Sequence, residues 1–314
     1  MQPKKILVTG AFGLVGTDLV IALQNKHGIE NVIAVGHTKT NPSFKGVSEL
    51  ADVRRKEEIE ALIKKYNISE IYHLGGLLSA GGEKAPEVAW DVNINGLKTI
   101  LDLAVKYSLK VFWPSSIAVF GPTTPKENTP QETILEPSTI YGITKVSGEL
   151  LCKYYNKRYN LDVRSLRYPG LIAYKAEPGD GTTEYAVSIF YNALHNEPFQ
   201  CFLKEDSVLP MMYMDDAIKG TLMLMEADSV NIQVRTSYNF AAISFSPKQI
   251  YEEIVKHVPN FLITYNPDQR QKTADSWPRT IDDSQARHDW GWNHSFSLER
   301  MVEDMLSNLK KKLG

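Results

Sequence analysis

Thr9-Gly10-Ala11-Phe12-Gly13-Leu14-Val15-Gly16 constrains this chain more than any other stretch. The largely apolar run 5–9 enters it as a strand, and a helix-length segment, 14–27, leaves it. Glycines at Gly10, Gly13 and Gly16 permit a tight turn, close approach of backbone to a pyrophosphate, and close packing of helix on sheet. The helix N-terminus then offers N–H donors and a positive dipole end to phosphate oxygens. A strand, turn and helix of this kind open a doubly wound parallel α/β sheet that binds a dinucleotide.

The rest of the first half keeps to that pattern. Strand-like runs at 5–9, 32–35, 49–51, 70–74, 111–114 and 163–166 alternate with helical candidates at 14–27, 55–66, 87–107 and 142–160. Beyond Pro169 and Gly170 the regularity falls off, Pro178, Gly179 and Gly181 mark a loop, and helices are expected near 184–195, 215–226, 247–257 and 298–312. The fold class expected for the 314 residues is therefore α/β. A Rossmann-type dinucleotide domain covers 1–170, with chain returning to it from the second half, and a smaller α/β substrate lobe covers 171–314.

Composition narrows the function classes. Thirty-five Lys+Arg stand against 37 Asp+Glu, for a net charge of −2, which argues against a nucleic-acid or anionic-membrane partner. No apolar run approaches the length of a membrane span, and because the opening residues lead at once into a strand no signal peptide is expected in them. Two cysteines, Cys152 and Cys201, imply no disulfide framework and a reducing compartment. The expected location is the cytoplasm, or the mitochondrial matrix if a presequence has been removed. The seven histidines are scattered, with no pair at i, i+4 and no cysteine cluster, so no metal site is expected.

Contacts to a dinucleotide are expected from Gly10, Phe12, Gly13, Leu14, Val15 and Gly16 around the turn. At the end of the second strand an acidic residue would bond the ribose hydroxyls and repel a 2′-phosphate, but Gly36 stands there, followed by His37. No arginine follows, only Lys39, so the residues leave NAD and NADP both open, with NAD favoured. His37 is a candidate ribose contact. Leu74-Gly75-Gly76 places small residues where a cofactor crosses the sheet edge.

Of the fifteen tyrosines, Tyr141 alone has a lysine four residues later, Lys145, one helical turn on and on the same face. Pro114-Ser115-Ser116 ends the fifth strand, and doubly wound sheets place ligands at that edge. The set suits oxidation of a secondary alcohol. A phenol is a poor base at neutral pH unless a positive charge lowers its pKa, and Lys145 can supply one. Ser116 can then orient the substrate hydroxyl.

The Gly-x-x-Gly-x-x-Gly spacing, the Asp52-Val53 pair, Asn93 in Asp91-Val92-Asn93-Ile94-Asn95-Gly96, and the Ser116, Tyr141 and Lys145 set resemble the extended short-chain dehydrogenase/reductases. That resemblance implies adenine contacts at Asp52 and Val53 and a cofactor or water-relay contact at Asn93. Leu166-Arg167-Tyr168-Pro169-Gly170, the stretch 178–186, Ala274-Asp275-Ser276-Trp277-Pro278 and Asp289-Trp290-Gly291-Trp292 are similar to the short-chain type of L-threonine 3-dehydrogenase, over essentially the whole chain. What this implies is oxidation of the 3-hydroxyl of L-threonine with NAD. Tyr168 joins the cofactor contacts, and Ser79, Ser116, Tyr141, Gly181, Thr182, Thr183 and Trp277 become the substrate contacts. A homodimer through helices 87–107 and 142–160 is also implied. Other readings stand beside these: Thr182 or Thr183 as a helix cap, Trp277 as core, and the whole chain as a nucleotide-sugar 4-epimerase or dehydratase, or as a dinucleotide-binding regulator. The epimerase reading lacks the arginine expected just before Tyr213-Met214-Asp215-Asp216.

Overall fold

A computed structural model describes residues 4–38 and 44–314; Lys39 lies outside them. Six strands of the first half, β1 (Ile6–Thr9), β2 (Val32–Gly36), β3 (Val47–Leu50), β4 (Glu70–His73), β5 (Lys110–Ser116) and β6 (Val163–Tyr168), alternate with helices. The helices are α1 (Leu14–His27), α2 (Lys56–Tyr66), α3 (Ser79–Lys84), α4 (Pro86–Trp90), α5 (Gly96–Tyr107) and α6 (Ile140–Tyr159). The second half adds strands β7 (Gly170–Ile172), β8 (Phe199–Cys201), β9 (Leu209–Tyr213), β10 (Tyr238–Asn239), β11 (Ile243–Phe245) and β12 (Ile263–Tyr265). Its helices are α7 (Tyr185–Leu194), α8 (Met214–Glu226), α9 (Pro247–Ile254), α10 (Arg270–Ser276), α11 (Ser284–Trp290) and α12 (Leu298–Leu313).

The main sheet has seven strands in the order β10-β6-β5-β4-β1-β2-β3. β1 pairs in parallel with β2 and β4, β2 with β3, and β4 with β5. β1, β2 and β4 are buried at every residue, as strands covered on both faces must be, which is why β1 and β2 read as largely apolar runs, while β4 brackets Ile71 and Tyr72 with buried Glu70 and His73. The order reverses beside β1, so the switch point falls at the turn that holds Gly10.

The chain divides into two compact units, neither of them continuous in sequence. The first holds 1–119, 139–167 and 221–238; the second holds 120–138, 168–220 and 239–314. Leu97, Ile100, Leu101 and Ala104 of α5 pack in the first unit's core with Trp113 of β5 and Cys152 and Tyr155 of α6. The second unit carries a three-stranded sheet, β11-β9-β7, and a two-stranded one, β12-β8. Its core gathers Tyr185, Phe190, Cys201, Met211 and Tyr213 under Met301, Val302, Met305, Leu306 and Leu309 of α12. Those five lie on one helical face, and Ser297 caps the helix by accepting from the Arg300 amide at 3.3 Å.

The helix expected over 87–107 is interrupted. Between α4 and α5 the residues 91–95 form a π-helical turn, so the pitch widens at Asn93. Cys152 and Cys201 are free thiols, one buried in each unit.

Candidate active site

Two of the three turn glycines are demanded by packing alone. Gly10 sits at φ 67°, and a Cβ there would meet the Leu74 carbonyl carbon and the Gly75 nitrogen at 2.7 Å; one on Gly16 would lie 2.2 Å from the Gly10 oxygen. Gly13 differs: it is exposed, it stands at the N-cap of α1 with no side chain capping the helix, and the first turn holds no acidic residue. The α1 amides are therefore open to a phosphate, with Phe12, Leu14 and Val15 half-buried beside them. These features fit a dinucleotide's pyrophosphate.

At the tip of β2 a carboxylate is present after all, supplied from elsewhere. Asp52 Oδ2 lies 3.5 Å from His37 Nε2, and the Arg54 guanidinium grips the same carboxylate through Nε and Nη2 at 3.0 and 2.6 Å. That grip holds the Asp52 carboxyl down at about 2, so it stays ionised beside His37, while Val53 is buried next to it. Arg54 is an arginine the sequence reading missed, and its other arm reaches Asp91 at 3.2 Å. Both of its carboxylate partners compete with any phosphate for that guanidinium.

Past β4, Leu74 donates its amide to Thr9 O at 3.0 Å, Gly75 follows, and Gly76 is exposed. Asn93 is spent on protein contacts: its Oδ1 accepts from the Leu77 amide at 2.7 Å, and its Nδ2 reaches the Leu77 carbonyl and Thr144 Oγ1, each at 3.1 Å. It ties the segment leading to half-buried Ser79 onto α6. His73, not foreseen, is 1% exposed, with Nδ1 2.7 Å from Thr9 Oγ1 and Nε2 without a partner. Burial pushes its pKa down to about 3, so it is neutral.

Tyr141, Lys145 and Ser116 come together in the first unit. Thr139 caps α6 by accepting from Gly142 N at 3.0 Å, and the Ile140 amide donates to Glu83 Oε1 at 2.8 Å, which fixes where the helix begins. Ser116 stands beside the Tyr141 hydroxyl, where it favours the phenolate, and its Oγ accepts from the Ala118 amide at 3.2 Å. Lys145 Nζ donates to the Pro114 carbonyl at 2.6 Å and lies 4.5 Å from the Trp113 ring centre and 5.5 Å from that of Tyr141. Gly148 lets α6 approach that ring, since a Cβ there would fall 2.3 Å from the Trp113 indole.

Lys145 was expected to depress the Tyr141 phenol, but burial dominates both groups: it drives Tyr141 up to about 12 and Lys145 down to about 7. Without further charge in the site, phenol beside partly neutral amine is the resting state.

In the second unit, Tyr168 is 5% exposed, with its ring 5.8 Å from that of Phe240. Gly181, Thr182 and Thr183 are half-buried ahead of α7, whose N-cap is Glu184 with no side-chain cap bond, so neither threonine caps the helix. Trp277 packs partly on the core and also lines a cavity of about 160 Å³ with Lys126, Lys204, Asp206, Asp275 and Arg279, whereas Gly181, Thr182 and Thr183 are not among its walls. Among the described residues, no group of three His, Cys, Asp or Glu could hold a metal.

A model of the NAD dependent epimerase/dehydratase family matches residues 6–241, and the chain belongs to that family. NAD is its cofactor, and it is an oxidoreductase of epimerase/dehydratase type. It is 44% identical over 313 residues to an uncharacterized epimerase/dehydratase of Staphylococcus haemolyticus, covering 98% of both chains. Its structure matches an L-threonine dehydrogenase from Cupriavidus necator in holo form, with a TM-score of 0.96 and 49% identity over 97% of this chain and 99% of that one. A monomeric L-threonine 3-dehydrogenase from a metagenome matches at a TM-score of 0.95 and 47% identity, over 98% and 100% of the two chains.

Proposed function

We propose that this chain oxidises the 3-hydroxyl of L-threonine to 2-amino-3-ketobutyrate. The observation that carries the chemistry is the placing of Lys145 Nζ 5.5 Å from the Tyr141 ring centre, one turn along the same helix, with Ser116 beside the phenol. Full-length likeness to L-threonine dehydrogenases supports the choice of substrate.

Gly10, Phe12, Gly13, Leu14, Val15 and Gly16 hold the cofactor's pyrophosphate, His37, Asp52 and Val53 its adenosine end, and Leu74, Gly75 and Gly76 line its path, with Asn93 and Tyr168 as supporting residues. NAD, when bound, supplies the hydride acceptor and a positive ring charge. Tyr141 removes the hydroxyl proton, Lys145 holds positive charge near the phenol, and Ser116 gives its hydrogen bond to the substrate oxygen. A unit charge at about 4 Å, with an effective dielectric near 20, is worth about 4 kcal/mol, or about three pKa units. A positive charge beside the phenol therefore lowers it from about 12, so oxidation should speed up as pH rises from neutrality. Ser79, Gly181, Thr182, Thr183 and Trp277 are the remaining substrate contacts that the likeness to L-threonine dehydrogenases leads us to assign.

Purified protein with NAD should form NADH on addition of L-threonine. Tyr141→Phe should lower kcat by about 10²–10⁴-fold and leave the NAD dissociation constant unchanged. Turnover of a UDP-sugar with no NADH from threonine would sink this reading. A nucleotide-sugar epimerase or dehydratase is the second reading, and the match to the epimerase/dehydratase family favours it; the cavity by Trp277 sets Asp206 and Asp275 against its three cations.

A homodimer is part of the proposal. Ile143, Leu150 and Tyr154 are 42, 59 and 53% exposed and fall on one stripe of α6.

A further inference from the structure

Glu149 lies one turn beyond Lys145 on α6, and the chemistry above gives it no task. It is 1% exposed, and its partner Arg167 on β6 is 3% exposed. Arg167 Nε donates to Oε1 at 2.9 Å and Nη2 to Oε2 at 2.8 Å, a two-pronged grip, and Ser115 Oγ donates to Oε1 at 2.7 Å. Two consecutive residues of β5 are thereby tied to α6, Pro114 to Lys145 and Ser115 to Glu149, just ahead of Ser116.

The groups facing Lys145 differ sharply in charge. Tyr141 and Cys152 on its own helix are kept protonated by burial, His73 at the end of β4 is neutral, and β5 presents the Trp113 ring and the Pro114 carbonyl. Arg167 on β6 brings its guanidinium onto the Glu149 carboxylate. Cys152 and then Glu149 favour the ammonium, and since burial keeps the Cys152 thiol protonated, Glu149 is the one of the two that carries charge.

We propose that Glu149 is a positioning residue for the dehydrogenation: held by Arg167 and Ser115, its carboxylate fixes the register of β5 on α6 and biases Lys145 toward the ammonium form beside Tyr141. This rests on the reading of Tyr141 as the base. Loss of one proton from the Tyr141–Lys145 pair leaves either phenolate with ammonium or phenol with amine, two states of equal proton count. Glu149 favours the first. Without its charge the second gains, and no change of pH restores the balance.

Glu149→Gln keeps an oxygen for Ser115 and Arg167 while removing the charge. With NAD and L-threonine, the expected result is a kcat plateau lowered about tenfold, the factor of one pKa unit, with KM and NAD affinity held within about twofold. In the NAD complex, the [13Cζ]tyrosine resonance of Tyr141, assigned by its loss in Tyr141→Phe, should titrate about one pH unit higher than in wild type. A wild-type kcat profile together with a wild-type Tyr141 titration overturns the proposal. If wild type forms no NADH from threonine, the dehydrogenase reading fails, and the Tyr141 titration still decides the role of Glu149. Should Glu149→Gln lose NAD binding, Glu149→Asp takes its place. With charge retained it should hold kcat within about threefold, and a loss of about tenfold overturns the idea.

Discussion

At the scale of single residues, burial sets the charge states and ion pairs correct them. Tyr141, Lys145 and His73 are all moved toward their neutral forms, whereas Asp52 is moved toward its charged form because Arg54 grips it. The direction for Asp52 has a consequence for stability. Its folded pKa, about 2, lies below the ordinary 3.8, so the contribution is fully present above about pH 4 and is lost as pH falls through 2. With Arg54 35% exposed, solvent screening leaves about 1 kcal/mol of it. Urea midpoints measured from about pH 5 down to 2 should therefore fall less steeply in Asp52→Asn than in wild type; equal slopes would show that the pair contributes nothing.

At the scale of elements, α6 and β5 set the geometry of the candidate site, and their contact is close because residue 148 has no side chain. Gly148→Ala should destabilise the fold by about 1–3 kcal/mol in thermal melts, since its Cβ meets a buried indole and not a flexible chain end. It should also lower kcat, because the displaced Trp113 ring lies under Lys145; an unchanged kcat would show that Lys145 takes its place from the Pro114 carbonyl alone. Much of this layer was legible in the sequence. α1 came out with its observed bounds, and α6 within two residues, because glycines and long periodic segments mark them. β7, β8, β11 and β12 were not legible: each is three residues long, too short to show a period. The π-turn at Asn93 escaped for another reason, since the partner that pins it, Leu77, lies 16 residues away. His73 and Thr9 are 64 apart, and Glu149 and Arg167 are 18 apart, so their roles exist only once the sheet is formed.

At the scale of the whole molecule, a net charge of −2 leaves little long-range repulsion between copies, which permits association through the apolar stripe of α6. Wild type should sediment as a dimer and Leu150→Asp as a monomer, and a monomeric wild type at working concentration would end the dimer proposal. Among the described residues no helix is long and apolar enough to cross a membrane. The two free thiols have a use of their own. Cys152 and Cys201 are each buried in a different unit, and burial raises both thiol pKa values. An alkylating reagent needs a reachable thiolate, so each sulfur can react only when its own surroundings open. The molecule thus carries two internal clocks. Unequal labelling rates at the two sulfurs would show the units breathing separately, and equal rates would show that they open as one.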